Sequence, residues 1–366
     1  MSTAVSPSRQ GPPARAPRGP RPPTDYAQLL RIVQESGLMK RRYGYYSIKI
    51  SLMMLATAAI AVGIILLGNS WFQLLLAALL GLVFAHFGFL GHDAAHKQIF
   101  VSGKANHRAG LVLGTLFSGM SLTWWNSKHN KHHAAPNQIG KDPDIEPSVL
   151  HFYPAVAAPN KSRFLSFLRA RQGWFFFPLL TFEGVNLHAQ SFATGFSRRS
   201  GKWQPMEMAL LTVRWATYLG LLLIVLDPGL AAAFLGVQLA VVGIYLGCTF
   251  APNHKGMPVL PADLRVDFLR RQVLMSRNII SNRLTTFAMG GLNYQIEHHL
   301  FPSMPRPNLR RAQRIVKPFC IENSVAYTET TLRRSYGIVV RYLNVVGLRA
   351  GDPFECPMVA ALRPRV

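Results

Sequence analysis

Seven of the twelve histidines in this chain fall in three short runs. His92 and His96 stand four apart in HDAAH, and His129, His132 and His133 follow in HNKHH. QIEHH holds His298 and His299, with Gln295 three places ahead of the first. An eighth histidine, His254, lies in APNHKGMP. Spacings of three and four place side chains on one helix face, and imidazole binds zinc, iron, copper or nickel. Eight imidazoles exceed the four ligands that one zinc ion takes, so two ions are the economical reading. Scattered surface histidines would not repeat this spacing three times. The third run begins with an amide where the others begin with histidine. An amide oxygen is a neutral, weaker ligand, able also to hold a metal-bound water.

Something must position these runs, and the apolar windows between them supply it. No Lys or Arg occurs between Lys49 and Lys97, and the apolar stretch is broken only at GNS, 68–70. A second such window runs from Trp215 to His254, broken at DPG, 227–229. Each holds two crossings of about 20 residues, expected near 49–68, 71–91, 208–226 and 230–250. Both turns lack positive charge, so all Lys and Arg fall on one side. The positive-inside rule makes that side the cytoplasm, with both termini there. Buried core hairpins of a soluble protein would not need windows of bilayer length. A pair of haem ligands would sit inside these helices, where only His86 does, and His86 reads as packing or as a partner to a ligand.

Residues 109–123 are apolar but too short to span and read as an interfacial or re-entrant segment. Residues 160–205 mix aromatics with Arg, as for helices at headgroup level. Residues 1–23, rich in Pro, Arg and Gly, read as a disordered basic arm with no cleavable signal peptide. A short amphipathic helix follows, with Thr24 as cap, an apolar face of Tyr26, Leu29, Leu30 and Val33, and Gly37 as stop. The expected fold is an all-α integral membrane protein, with four transmembrane helices in two hairpins and a cytoplasmic helical cap. Residues 24–320 form its body and 321–366 a cytoplasmic tail. The 40 Lys plus Arg against 16 Asp plus Glu give a net charge of +24. With these windows that excess points to anionic lipid, not to nucleic acid. Cys248, Cys320 and Cys356 lie too far apart for a thiolate zinc site and read as packing or free thiols.

The three histidine runs, with two hairpins between and around them, resemble the membrane fatty acid desaturases over roughly residues 40–320. HNKHH…DPDIE and EHHLFP are similar to the bacterial acyl-lipid and acyl-CoA branch, and EGVNLH and NHKGMP to its actinobacterial members. The resemblance implies a non-haem di-iron centre in the cytoplasmic cap, at the plasma membrane, that activates O2 and removes two hydrogens from an acyl chain. His92, His96, His129, His132, His133, His298 and His299 carry over as iron ligands, and His254 as the extra histidine after the fourth membrane helix. Asn253 would reach a metal through water. His188 matches a further position where an interfacial hydrogen bond is an equal reading, and His107 and His151 read as surface residues. Asp93, Asp142, Asp144 and Glu297 suit the free ring nitrogens of the ligands, or else cap helices and pair with cations. Trp124, Trp125 and the stretch Trp174 to Phe177 are candidates to line an acyl tunnel or to anchor at the interface.

In the family, an amide at Gln295 marks the front-end branch, many of whose members carry a fused haem domain with HPGG. This sequence has no HPGG, so electrons are expected from a separate ferredoxin or an NAD(P)H-dependent flavin/iron–sulfur reductase. Δ9 and front-end positions both stay open, as do acyl-lipid and acyl-CoA substrates. A di-iron hydroxylase of alkyl or carotenoid substrates is the first rival. A zinc-dependent membrane hydrolase or receptor is the second.

Overall fold

The computed structural model describes residues 24–153, 163–196 and 205–348; the expected basic arm and Cys356 lie outside them. Helix α1 (Asp25–Glu35) starts where the Thr24 hydroxyl accepts from the Ala27 amide, and Gly37 ends the turn after it at φ 71°. The first hairpin is α2 (Tyr43–Leu67) and α3 (Gln73–Ala95). Helix α4 (Gly103–Gly110) runs into a π-helical turn, Leu111–Phe117, and α5 (Leu122–Ala134) follows. Three short helices come next, α6 (Arg163–Ala170), α7 (Gln172–Leu179) and α8 (Glu183–Phe196). The second hairpin is α9 (Pro205–Val225) and α10 (Pro228–His254). The remaining helices are α11 (Phe268–Leu274), α12 (Arg283–Ala288), α13 (Gln295–Leu300), α14 (Leu309–Glu322) and α15 (Leu332–Leu348).

Helices α2, α3, α9 and α10 are long and apolar enough to cross a membrane, and they match the four expected spans. At 1.5 Å per residue, the 23 residues of α3 and the 27 of α10 extend about 35 and 40 Å. A hydrocarbon core is about 30 Å thick, so both overhang it. Their last turns carry His92 on α3 and Asn253 and His254 on α10. At the other end the two hairpin turns are joined, with Asn69 and Asp227 exchanging hydrogen bonds side chain to side chain and backbone to side chain.

Helix α10 packs along α3 on one side and α8 on the other. At the second contact the backbones touch. A Cβ at Gly243 would lie 2.3 Å from the Leu180 carbonyl oxygen, and one at Gly184 would lie 2.1 Å from that of Leu239. Small residues permit such close crossings, which hold α8 against a membrane-spanning helix. The segment 109–123, too short to span, is the π-helical turn and its flanks, packed on α3 and α9. Arg214 of α9 is buried in this bundle, its guanidinium 4.3 Å from the Phe84 ring centroid and 4.5 Å from that of Tyr218. Among the described residues no carboxylate pairs with it.

A second core, built from Leu29, Leu269, Val273, Ile296, Leu300 and Val316 among others, lies beyond the bundle. Helices α1, α11, α13 and α14 surround it. Two three-residue strands, β1 (Asn278–Ile280) and β2 (Glu329–Thr331), pair in parallel there; neither is long enough to show an alternating pattern. The chain past residue 320 contributes β2 and α15, and α15 packs on α7 and α10.

Candidate metal centre

The Ser121 hydroxyl caps α5 by accepting from the Trp124 amide at 3.0 Å, which sets the phase of His129, His132 and His133. Consecutive residues on a helix point about 100° apart. Each adjacent histidine pair therefore divides its side chains between two places. His92, His96, His129, His133 and His298 form one group, and His132, His254 and His299 form another, with the ligand atoms of each within 4.8 Å of one another. Helices α3, α5 and α13 build the first group; α5, α10 and α13 build the second. All eight histidines expected from the sequence are thus in one of the two.

Within the groups the ring nitrogens converge. Nε2 of His129 lies 3.1 Å from that of His92 and 3.0 Å from that of His133, and Nε2 of His132 lies 3.4 Å from that of His254. Nitrogens bound to one ion at about 2.1 Å stand roughly 3.0–3.4 Å apart, so the spacing fits chelation. Burial first, and the neighbouring imidazoles second, hold His96, His129, His133, His298 and His299 well below the ordinary histidine range. They are neutral and present lone pairs. Both ring nitrogens of His298, Nε2 of His96 and Nε2 of His299 have no hydrogen-bond partner while buried. Orphaned buried polar atoms cost stability, and a cation in each group would engage one nitrogen of each of these three rings. The residues present fit a pair of transition-metal ions.

The other ring nitrogens are held from outside. His132 Nδ1 lies 3.0 Å from Asp142 Oδ2, and Asp142 is fixed by the Asn137 amide at 2.7 Å and the Asp144 amide at 2.9 Å. Burial alone would lower His132, but Asp142 and Asp144 outweigh it and hold the ring above its ordinary range. Asp144 also pairs with Lys128 at 3.0 Å. Asp93 stands 3.6 Å from His92 Nδ1 and is itself gripped by Arg306 at 2.6 Å. His254 Nδ1 donates to the Met275 carbonyl at 3.0 Å, and His299 Nδ1 to Gln272 Oε1 at 2.9 Å. Gln272, Met275 and Arg306 give no signal in the sequence, because each acts across a tertiary contact from a segment without metal-ligand spacing.

Glu297 does not hold a ring, as its place beside His298 had suggested. Its carboxylate accepts from Asn278 and from the Tyr327 hydroxyl, both at 2.7 Å, and so ties α13 to the β1 region. Burial pushes it up to about 7, against the pull of those two donors. His188 donates from Nδ1 to the Gly184 carbonyl at 2.7 Å and stacks edge-on to Trp215, apart from both groups. His86 is likewise apart, between Lys49 and the Tyr245 hydroxyl. His107 is exposed, and the backbone of His151 pairs with Gln172.

Gln295 sits at the second group, its amide nitrogen 2.9 Å from His254 Nε2 and its oxygen facing the Asn253 amide at 3.4 Å. In this orientation the amide nitrogen, not the oxygen, faces the three imidazoles of the second group. Removing the amide by Gln295→Ala is expected to lower turnover about 10- to 100-fold, the range for groups that tune a metal's surroundings. The first group should keep its metal. Product formation and metal per chain would be measured together, and full activity would deny the amide any part at the metal.

A small apolar cavity of about 30 Å³ adjoins the first group, lined by Gly88, Phe89, His92, Met120, Trp125 and Phe250 among others. The Trp125 ring stacks on His129 at 4.7 Å. Trp124 packs in the bundle core instead. The stretch Trp174 to Phe177 lies elsewhere too, with Phe176 and Phe177 packed beside Val339 and Leu343 of α15 and Trp174 exposed.

A family model described as fatty acid desaturase matches residues 69–331, which include all eight histidines. The chain belongs to the fatty acid desaturase family. It is an oxidoreductase that inserts double bonds into fatty acyl chains, and its four apolar helices make it a membrane protein. The desaturase is 31% identical over 318 residues to the Delta(6)-fatty-acid desaturase fat-3 of Caenorhabditis elegans, covering 82% of this chain and 70% of that one. It is 26% identical over 340 residues to the Delta(8)-fatty-acid desaturase 2 of Arabidopsis thaliana, covering 90% and 76%. A Delta(8)-fatty-acid desaturase of Helianthus annuus is 25% identical over 344 residues, covering 90% and 74%.

Proposed function

We propose that the desaturase holds two irons in its two histidine groups and uses O2 to place a double bond in the carboxyl half of an acyl chain. One observation carries this reading: five imidazoles and, beside them, three imidazoles with an amide converge next to a small apolar cavity. An iron pair, when bound, supplies the oxidising power for an alkyl C–H bond that redox-silent zinc lacks. The substrate loses two hydrogens, and O2 with two external electrons and two protons leaves as two waters. The chain's own part is to hold one methylene pair in the cavity between His92, Trp125 and Phe250, and to keep bulk water out. The bond positions in the relatives' names, together with Gln295, support the carboxyl half.

The excess of Lys and Arg away from the two hairpin turns supports a cytoplasmic site on the plasma membrane. Arg310, Arg311 and Arg314 are exposed on α14, which packs over α13. This face complements an acidic ferredoxin or flavin/iron–sulfur reductase. The test is expression with such a donor in a host of known lipid composition, followed by gas chromatography with double-bond localisation. A new monoene or diene with its bond in the carboxyl half is expected. A hydroxylated product would favour the rival oxygenase, and bound zinc without O2 consumption would end the redox reading.

A further inference from the structure

The last turn of α10, which carries Asn253 and His254, is held by groups from outside the helix. Pro252 lies within α10 and has no N–H, so the Cys248 carbonyl loses its intrahelical donor. The Tyr336 hydroxyl of α15 donates to that carbonyl at 2.9 Å. The Pro252 carbonyl accepts from Ser335 Oγ at 2.7 Å and from Arg277 Nε at 3.0 Å. Arg277 Nη2 reaches the Lys255 carbonyl at 2.9 Å, and the Arg277 amide reaches that of Asn253, also at 2.9 Å. Four carbonyls around one ligand-bearing turn thus find donors on two separate segments.

Arg277 is 2% exposed, and among the described residues its guanidinium pairs with no carboxylate. Its counter-charge is the negative end of α10. The α15 contact is close. Gly256 has φ +78°, and a Cβ there would lie 2.6 Å from Ile338 Cγ2, so only glycine lets the turn lie against α15. Lys255, between the turn and Gly256, donates to the Asp144 carbonyl at 2.8 Å and links this turn to the loop that holds His132. Residues 335 and 336 lie beyond the family match, which ends at 331.

We propose that Tyr336, Ser335 and Arg277 are positioning residues for the second metal group, setting where His254 presents its nitrogen. No ligand of the first group lies on α10, so the clamp acts on one ion of the two. This inference rests on the two-iron reading above. Ordinary helix capping would stabilise the fold without distinguishing the ions, and metal binding separates the two roles.

Purified full-length protein in detergent would be stripped of metal and titrated anaerobically with Fe(II), reading bound metal per chain and the affinity of each step. Wild type, Tyr336→Phe, the double variant Tyr336→Phe/Ser335→Ala, and His254→Ala as reference would be compared. Tyr336→Phe keeps the ring and removes only the donated hydrogen bond. Wild type is expected to take two ions. The double variant should hold the first as wild type does and bind the second at least about tenfold more weakly, in the manner of His254→Ala. Undiminished affinity for the second ion, or equal weakening of both, would overturn the clamp alone. Uptake of a single ion by wild type would overturn the two-iron reading and the clamp with it.

Discussion

Replacing His298 by Ala is expected to abolish desaturation, with a loss beyond the 100-fold seen at the upper end for groups that only surround a metal. The ring of His298 lies at the centre of the first group, with centroids 4.8 Å from those of His92, His96 and His133. Neither of its nitrogens has a hydrogen-bond partner in the protein, so the ring has no structural bond to lose. What the variant loses is an imidazole lone pair within the first histidine group. Helix α13 belongs to the cap core, so the membrane bundle should assemble and the variant should fractionate with membranes. Acyl products, iron per chain and membrane content measured on one preparation would check this. Unimpaired turnover would remove His298 from the ligand set.

The second large effect is expected at Asp142. Its carboxylate is buried and takes three donors at once: His132 Nδ1, the Asn137 amide and the Asp144 amide. Asp142→Asn preserves size but turns one acceptor oxygen into an NH2 group, which must face one of those donors. Either the His132 ring turns or the 137–144 loop shifts. The expected outcome is a 10- to 100-fold fall in metal affinity at the second group or in turnover, with the protein still folded. Asp142→Glu should not rescue it, because the longer side chain displaces the same loop. Retention of wild-type iron and rate in Asp142→Asn would show that the carboxylate is dispensable to His132.

Local patterns were legible, and partnerships across the fold were not. The spacing within HDAAH, HNKHH and QIEHH belongs to single helix turns, and the windows that became α2, α3, α9 and α10 are set by composition alone. The division of His298 from His299 follows from helix geometry, but their companions come from helices up to 206 positions away, as with His92 and His298. Gln272 and Arg306 serve ligands on other segments and look like ordinary polar residues. Glu297 misled for the same reason in reverse: it has the right composition, and tertiary packing turned it to β1.

Arg214 also bears on how the molecule is made. A charged arginine at the middle of a membrane helix costs about 2.5–3.5 kcal/mol on insertion. Part of what receives it here is the Phe84 face, and Phe84 belongs to the earlier hairpin. Synthesis from the N-terminus delivers that hairpin first, so the second enters a bilayer where its receptor already stands. A rearranged chain in which α9 emerged ahead of α3 would have to carry the charge into lipid unaided.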